Sequence, residues 1–144
     1  MNAVAQPSGA TTRPSAIGAP AYTQPFPREG ESAALARRLV TAALDTWHLS
    51  ELADVATLVV TELVANAVDH ARGSTIRVTV TRVTDRVVRI AVVDKDRNEP
   101  QLRAAGPADE RGRGLAIVDA MSARWGVDLL RWGKRVWADL EGER

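Results

Sequence analysis

Glu62-Leu63-Val64-Ala65-Asn66-Ala67-Val68-Asp69-His70-Ala71 is the stretch on which the reading of this chain turns. With successive residues rotated by about 100° on a helical wheel, Glu62, Asn66, Asp69 and His70 fall within one quarter of the circumference. Val60, Leu63, Val64, Ala67 and Val68 fill the arc beyond them and, with Val59, are read as the core-facing set, so one face suits a core and the other is polar. A polar helix face is ordinarily just solvated. Here Glu62 and Asn66 stand one turn apart, so a carboxylate and an amide oxygen face the same small volume. That oxygen-only donor set suits Mg²⁺ shared with substrate phosphates. Leu58 and Ala65 beside them are too apolar for a face meant only for water.

Two further stretches continue the pattern. Asp94 closes the apolar run Val87-Val88-Arg89-Ile90-Ala91-Val92-Val93 and marks where a strand leaves its sheet. Asp is common at such exits, but a buried carboxylate there would accept from the exocyclic amine of adenine and not suit guanine, whose O6 is an acceptor. Gly112-Arg113-Gly114 precedes Leu115-Ala116-Ile117-Val118, where unobstructed N–H groups at a helix start could receive phosphates. Glycines also serve simply as turn residues. The order and spacing of the three stretches together suggest an ATP pocket.

The surrounding pattern gives helices and hairpins. Ser32 is read as the N-cap of a helix running to about Trp47, and Ser50 as the cap of a second helix from about Glu51 to His70 that ends near Arg72-Gly73. Alternating residues over Thr75 to Val83 and Arg86 to Val93 predict two strands about a Thr84-Asp85 turn. A polar connection from Asp94 to Arg111 has the length of a functional loop or lid. Leu115 to Arg124 reads as a third helix, and Trp125 to Leu130 with Arg135 to Leu140 as a hairpin over Gly133-Lys134. Residues Met1 to Pro27 hold five of the seven prolines and a single charge, Arg13, and are expected to be disordered. Within them Ala21-Tyr22-Thr23-Gln24 could add a short edge strand. The domain division is therefore a tail over 1–25 and one domain over 26–144.

Composition narrows the function. At 144 residues, 45% of them apolar, the chain has room for one domain with a proper core. Nineteen basic against eighteen acidic residues give a net charge of +1, and no basic run exceeds two residues, so no electrostatic footprint for nucleic acid is visible. The absence of cysteine excludes disulfides, thiol catalysis and cysteine-ligated zinc, and two histidines are too few for a His-rich metal site. With no signal-peptide pattern and no apolar run near the roughly 18–20 residues of a spanning helix, a cytoplasmic location is expected.

The three stretches, with the closing Trp125-Gly126-Val127 and Gly133-Lys134-Arg135-Val136-Trp137-Ala138, resemble the GHKL (histidine-kinase-like) ATPases. Within them the chain is most similar to the anti-sigma-factor serine/threonine kinases of actinobacteria, over roughly Phe26 to Leu140. The resemblance implies an α+β fold, a two-layer sandwich of a mixed, mostly antiparallel sheet covered on one face by about three helices. It implies ATP and Mg²⁺ as cofactors, with Asn66 holding the metal and Glu62 acting as general base or orienting the attacking hydroxyl. Asp94 would bind the adenine amine, and Gly112, Arg113, Gly114 and Leu115 would lie along the phosphates. His70, one turn beyond Asn66, is read as packing at the helix end or lining the site, with packing favoured, and Arg111 or Arg113 as touching phosphate or lying solvated in the lid. The implied partners are an anti-anti-sigma factor, which would be phosphorylated, and a sigma factor. Relatives of this type often form homodimers, for which Trp47, Trp125, Trp132 and Trp137 supply anchors, although core packing accounts equally for Trp125 and Trp137. One departure stands out: the Asp-x-Gly-x-Gly of many relatives is here Asp94-Lys95-Asp96-Arg97-Asn98, where Asp96 and Asn98 would narrow the base pocket. The missing glycines favour a rival reading, a non-catalytic nucleotide-binding adaptor that sequesters a regulatory partner.

Overall fold

The computed structural model describes residues 11–14, 19–70, 73–95 and 110–143, with the side chains of 11–14 and 110–113 left out of the description. The chain runs β1 (Thr11–Pro14), β2 (Pro20–Pro27), α1 (Ser32–Thr46), a single 3₁₀ turn (Ser50–Leu52), α2 (Ala53–His70), β3 (Thr75–Arg82), β4 (Val87–Asp94), α3 (Glu110–Met121), β5 (Arg124–Leu129) and β6 (Lys134–Glu141). The six strands form one sheet in the order β1-β2-β3-β4-β6-β5. Every described pairing is antiparallel, so the α+β two-layer architecture holds with a sheet that is antiparallel rather than mixed.

Period-two alternation explains how the layers meet. Ile76, Val78 and Val80 of β3, Val88, Ile90 and Val92 of β4, and Val136, Ala138 and Leu140 of β6 point to one face and are buried. Ala36, Leu39, Val40, Ala43 and Leu44 of α1 and Ala56, Val59, Val60, Leu63, Val64 and Ala67 of α2 close over them as one core. The arc of α2 that the wheel assigned to the interior is the arc that is buried, apart from half-buried Val68. Asp94 and Lys134 share the parity of the core face, and they stand opposite each other as the last pair of the β4–β6 ladder.

Several sequence expectations shift. Part of the proline-rich stretch expected to be disordered is strand. β2 pairs with β3 from Ala21↔Thr81 to Pro27↔Thr75, and Tyr22 and Phe26 are core residues, Tyr22 with its ring 5.5 Å from that of Trp47. Burial of two aromatic rings outweighs the low strand propensity of its prolines. Ser32 does not cap α1: Glu31 is the N-cap residue, and the Ser32 hydroxyl instead donates to the Pro27 carbonyl at 2.6 Å, tying the helix start to the end of β2. The third helix begins at Glu110, five residues before Leu115, and ends at Met121, because Arg124 is drawn into β5. Trp125 packs on the core, but Trp137 lies on the opposite face of the sheet beneath the Arg89 guanidinium, 4.1 Å from its ring centre. No described helix is long and apolar enough to cross a membrane.

Candidate functional site

α2 and α3 pack against each other. Their contact brings the polar face of α2 to the first turns of α3. Glu62 and Asn66 are both half-buried, neither in the core nor fully in water. Gly114 is buried against Glu62: a Cβ at position 114 would lie 2.8 Å from Glu62 Oε1. Partial burial pushes the Glu62 carboxyl above its ordinary value, as desolvation disfavours the charged form. A carboxylate with a raised pKa is better matched to taking up a proton near neutrality than one in water.

The N-terminal segment of α3 divides the glycine stretch in two. In a helix that begins at Glu110, the N–H groups of residues 110–112 have no intrahelical partners, and that of residue 113 makes the first bond of the ladder. Gly112 is therefore the residue of the glycine stretch that presents a backbone donor, with the helix dipole behind it, while the Arg113 N–H is taken up by the helix. Gly114 and Leu115 come one turn later, where N–H groups enter the helical ladder. Gly114 supplies space beside Glu62, and Leu115 is buried. The side chains of Arg111 and Arg113, and all of Asp96 and Asn98 in the expected lid, lie outside the described residues. His70 is exposed at the end of α2, which removes the packing role expected of it. Arg28 secures that end, donating to the Val68 carbonyl at 2.8 Å and to the Gly73 carbonyl at 2.6 Å.

Asp94 sits at the exit of β4, only 2% exposed. Its carboxylate is engaged within the chain. Lys134 Nζ donates to Asp94 Oδ1 at 3.1 Å, and Lys134 is itself fully buried at 0%. Gly133 makes this possible: a Cβ there would collide with the Asp94 carbonyl oxygen, so only glycine lets the β5–β6 turn come this close to the end of β4. Sequence reading treated Lys134 as part of a turn and missed it. The signal was present, because Lys134, Val136, Ala138 and Leu140 alternate and place a lysine on the core face. Among the described residues, no group of three or more His, Asp or Glu side chains could hold a metal. The oxygen donors present are instead the few that fit Mg²⁺ completed by phosphates and water, a cation that rarely occupies an all-protein cage.

A polar helix face, a second helix starting opposite it and an acid at a strand exit thus stand in the order the sequence motifs set. A family profile described as the histidine kinase-like ATPase domain matches residues 26–138, more than half of the chain. The chain belongs to the histidine kinase-like ATPase family. The chain is also similar to an uncharacterized protein from Streptomyces coelicolor, 39% identical over 71 residues, which cover 47% of this chain and 68% of that protein. The matched segment of the histidine kinase-like domain begins at Phe26 inside β2 and ends at Ala138 inside β6, so it takes in Glu62, Asn66, Asp94 and Gly112–Gly114 together.

Proposed function

We propose that this chain is an Mg-ATP-binding regulatory protein that works as an anti-sigma factor serine/threonine kinase, phosphorylating an anti-anti-sigma partner and controlling a sigma factor by partner switching. One observation carries the catalytic part: the Glu62 carboxylate, with its raised pKa, faces Gly114 in the first turns of α3. The donors of α3 and the acid of α2 are thereby set toward one volume. In the transfer, the serine hydroxyl oxygen of the partner forms a bond to the γ-phosphorus, the bond from that phosphorus to the bridging oxygen breaks, and ADP departs. Glu62 takes the hydroxyl proton, and the free N–H groups at the start of α3, Gly112 among them, hold the phosphate oxygens. Mg²⁺, when bound, supplies charge neutralisation across the phosphates, and Asn66 would hold it through its amide oxygen.

The adaptor reading is supported by a different observation. Asp94 is already engaged by Lys134 and closed to solvent, which weakens its claim on the adenine amine. In that reading the protein sequesters its partner in a nucleotide-dependent way without transferring phosphate.

Calorimetric titration of ATP with and without Mg²⁺, on the wild type and on Asn66→Ala shown by circular dichroism to be folded, tests nucleotide binding. Saturable binding with a metal-dependent part lost in Asn66→Ala is expected, and equal loss with and without metal would remove Asn66 from the metal. Phosphoserine on a co-incubated anti-anti-sigma protein, absent with Glu62→Ala, separates kinase from adaptor. Stable partner binding with no transfer selects the adaptor.

A further inference from the structure

Arg38 and Asp45 are exposed on the same face of α1, two helical turns apart. At about 1.5 Å of rise per residue they stand roughly 10.5 Å apart along the axis, too far to pair with each other. Among the described residues neither takes part in an ion pair. Three and four positions from Arg38 there is no acid, and at the same distances from Asp45 there is no lysine or arginine. Asp45 also sits in the last turn of α1, at the negative end of the helix dipole, and that turn holds no basic residue. On local grounds its charge is misplaced.

Both charges line a groove. An open cavity of about 760 Å³ runs between the outer faces of α1 and the start of α2, lined also by Ala34, Thr41 and Ala42 of α1 and by Ala53 of α2. Arg37 lines it too but is used within the chain, donating to Thr61 Oγ1 at 3.1 Å. Arg38 and Asp45 thus bring one charge of each sign to a groove whose other walls are small and uncharged.

We propose that this face is the seam of a two-fold homodimer, in which α1 of a second copy lies antiparallel in the groove. The charge pattern is self-complementary under that operation. A two-fold axis between Thr41 and Ala42 sets Arg38 opposite the partner's Asp45 and Asp45 opposite the partner's Arg38, as an isologous interface requires. The crossing point then falls on Thr41 and Ala42 of both chains, whose small side chains let the helix axes approach to the roughly 8–10 Å of packed helices. Leu35, three positions before Arg38 and 44% exposed, adds apolar surface at each end of the seam. Burial of the groove drives the association, and the two ion pairs fix its register and direction. A foreign helix would need an acid and a base two turns apart in the matching sense, whereas α1 carries both in its own sequence. The inference does not depend on the nucleotide-binding reading.

Sedimentation equilibrium of the full-length chain at concentrations up to about 100 μM, enough to populate a dimer of micromolar affinity, tests it. The wild type is expected to dimerise. Arg38→Asp and Asp45→Arg should each raise the dissociation constant at least about 10-fold, because like charges then face each other across the axis. Both positions are exposed, so the substitutions leave the core intact, which circular dichroism checks. Equimolar mixing of the two variants should restore a dimer, since one presents two acids where the other presents two bases. A monomeric wild type would overturn the proposal, as would a dimer that either substitution leaves unchanged. Weakening by both without recovery on mixing would show that the charges do not pair across the axis, and would overturn it too.

Discussion

Glu62 Oε1 occupies the space into which a side chain at Gly114 would grow, with 2.8 Å between that oxygen and the position of a Cβ. The obstacle is the far end of a flexible side chain, so the fold can yield where the site cannot. Gly114 lies inside α3, where replacing glycine by alanine gains roughly 0.5–1 kcal/mol through backbone entropy. Gly114→Ala should therefore be as stable as the wild type or slightly more so, with the Glu62 carboxylate displaced and phosphotransfer reduced at least about 10-fold, the equivalent of about 1.4 kcal/mol. Thermal melting and a phosphotransfer assay on the same preparation check this. Loss of stability together with activity would mean that the glycine serves packing alone.

The raised pKa of Glu62 has a definite sign in stability. Its folded-state value lies above the unfolded one, so the native state holds the proton more tightly. The favourable contribution is complete below the unfolded value of about 4.5 and is lost as pH rises through the folded one. Glu62→Gln mimics the protonated form at every pH. Urea denaturation at about pH 4 and about pH 7 should find variant and wild type alike in acid, with the variant more stable at neutrality. A gap that does not change with pH would place the cause outside this carboxyl. In the wild type, the phosphotransfer rate should rise with pH through the same raised value.

Much of this arrangement was legible because periodicity carries burial. The wheel over Val59 to His70 separated core from polar residues, and the alternation in β3 and β4 gave both strands and the exit at Asp94. What was not legible depends on contacts distant in sequence. β2 is a strand because Tyr22 and Phe26 find a core and β3 offers a partner, neither of which its proline content announces. The start of α3 at Glu110 moved Gly114 and Leu115 from helix start to helix interior; Pro107 and Asp109 ahead of Glu110 are the sequence signal for that boundary, and a reading that took the glycines as the helix start passed over it. The engagement of Asp94 required knowing that β6 lies against β4, which brings together two residues 40 apart in sequence.

Gly133 is predicted to be far less tolerant than Gly114. The atoms facing it are backbone: a methyl carbon at position 133 would overlap the Asp94 carbonyl oxygen and come within 2.9 Å of the Lys95 Cα. Neither can rotate away, and the turn is closed by the Leu130 N–H donating to the Gly133 carbonyl at 2.8 Å. Gly133→Ala should cost about 2–3 kcal/mol through overpacking and should pull Lys134 away from Asp94. Urea denaturation measures the loss. A variant within about 0.5 kcal/mol of the wild type would show that the turn relaxes freely and does not set the position of Lys134.

On the face of the sheet away from the helices, Asp139 is 0% exposed and is held by two arginines that should contribute unequally. Arg89 grips it with both ends of its fork, Nε to Oδ1 at 2.7 Å and Nη2 to Oδ2 at 3.0 Å, and lies over the Trp137 ring. Arg124 reaches Oδ2 at 3.1 Å from a side chain that is largely in water. Removing Arg124 leaves the carboxylate with its bidentate partner, so Arg124→Ala should cost no more than about 1 kcal/mol. Arg89→Ala strands a buried carboxylate with one solvated partner and uncovers Trp137, and should cost about 2–4 kcal/mol. The two losses are compared by urea denaturation at neutral pH. Equal losses would show that the two arginines share the carboxylate evenly and that the stacking on Trp137 adds nothing. The expected inequality would identify Arg89, in the middle of β4, as the residue that ties β4 to β6 from behind, five positions before the strand delivers Asp94 to the site.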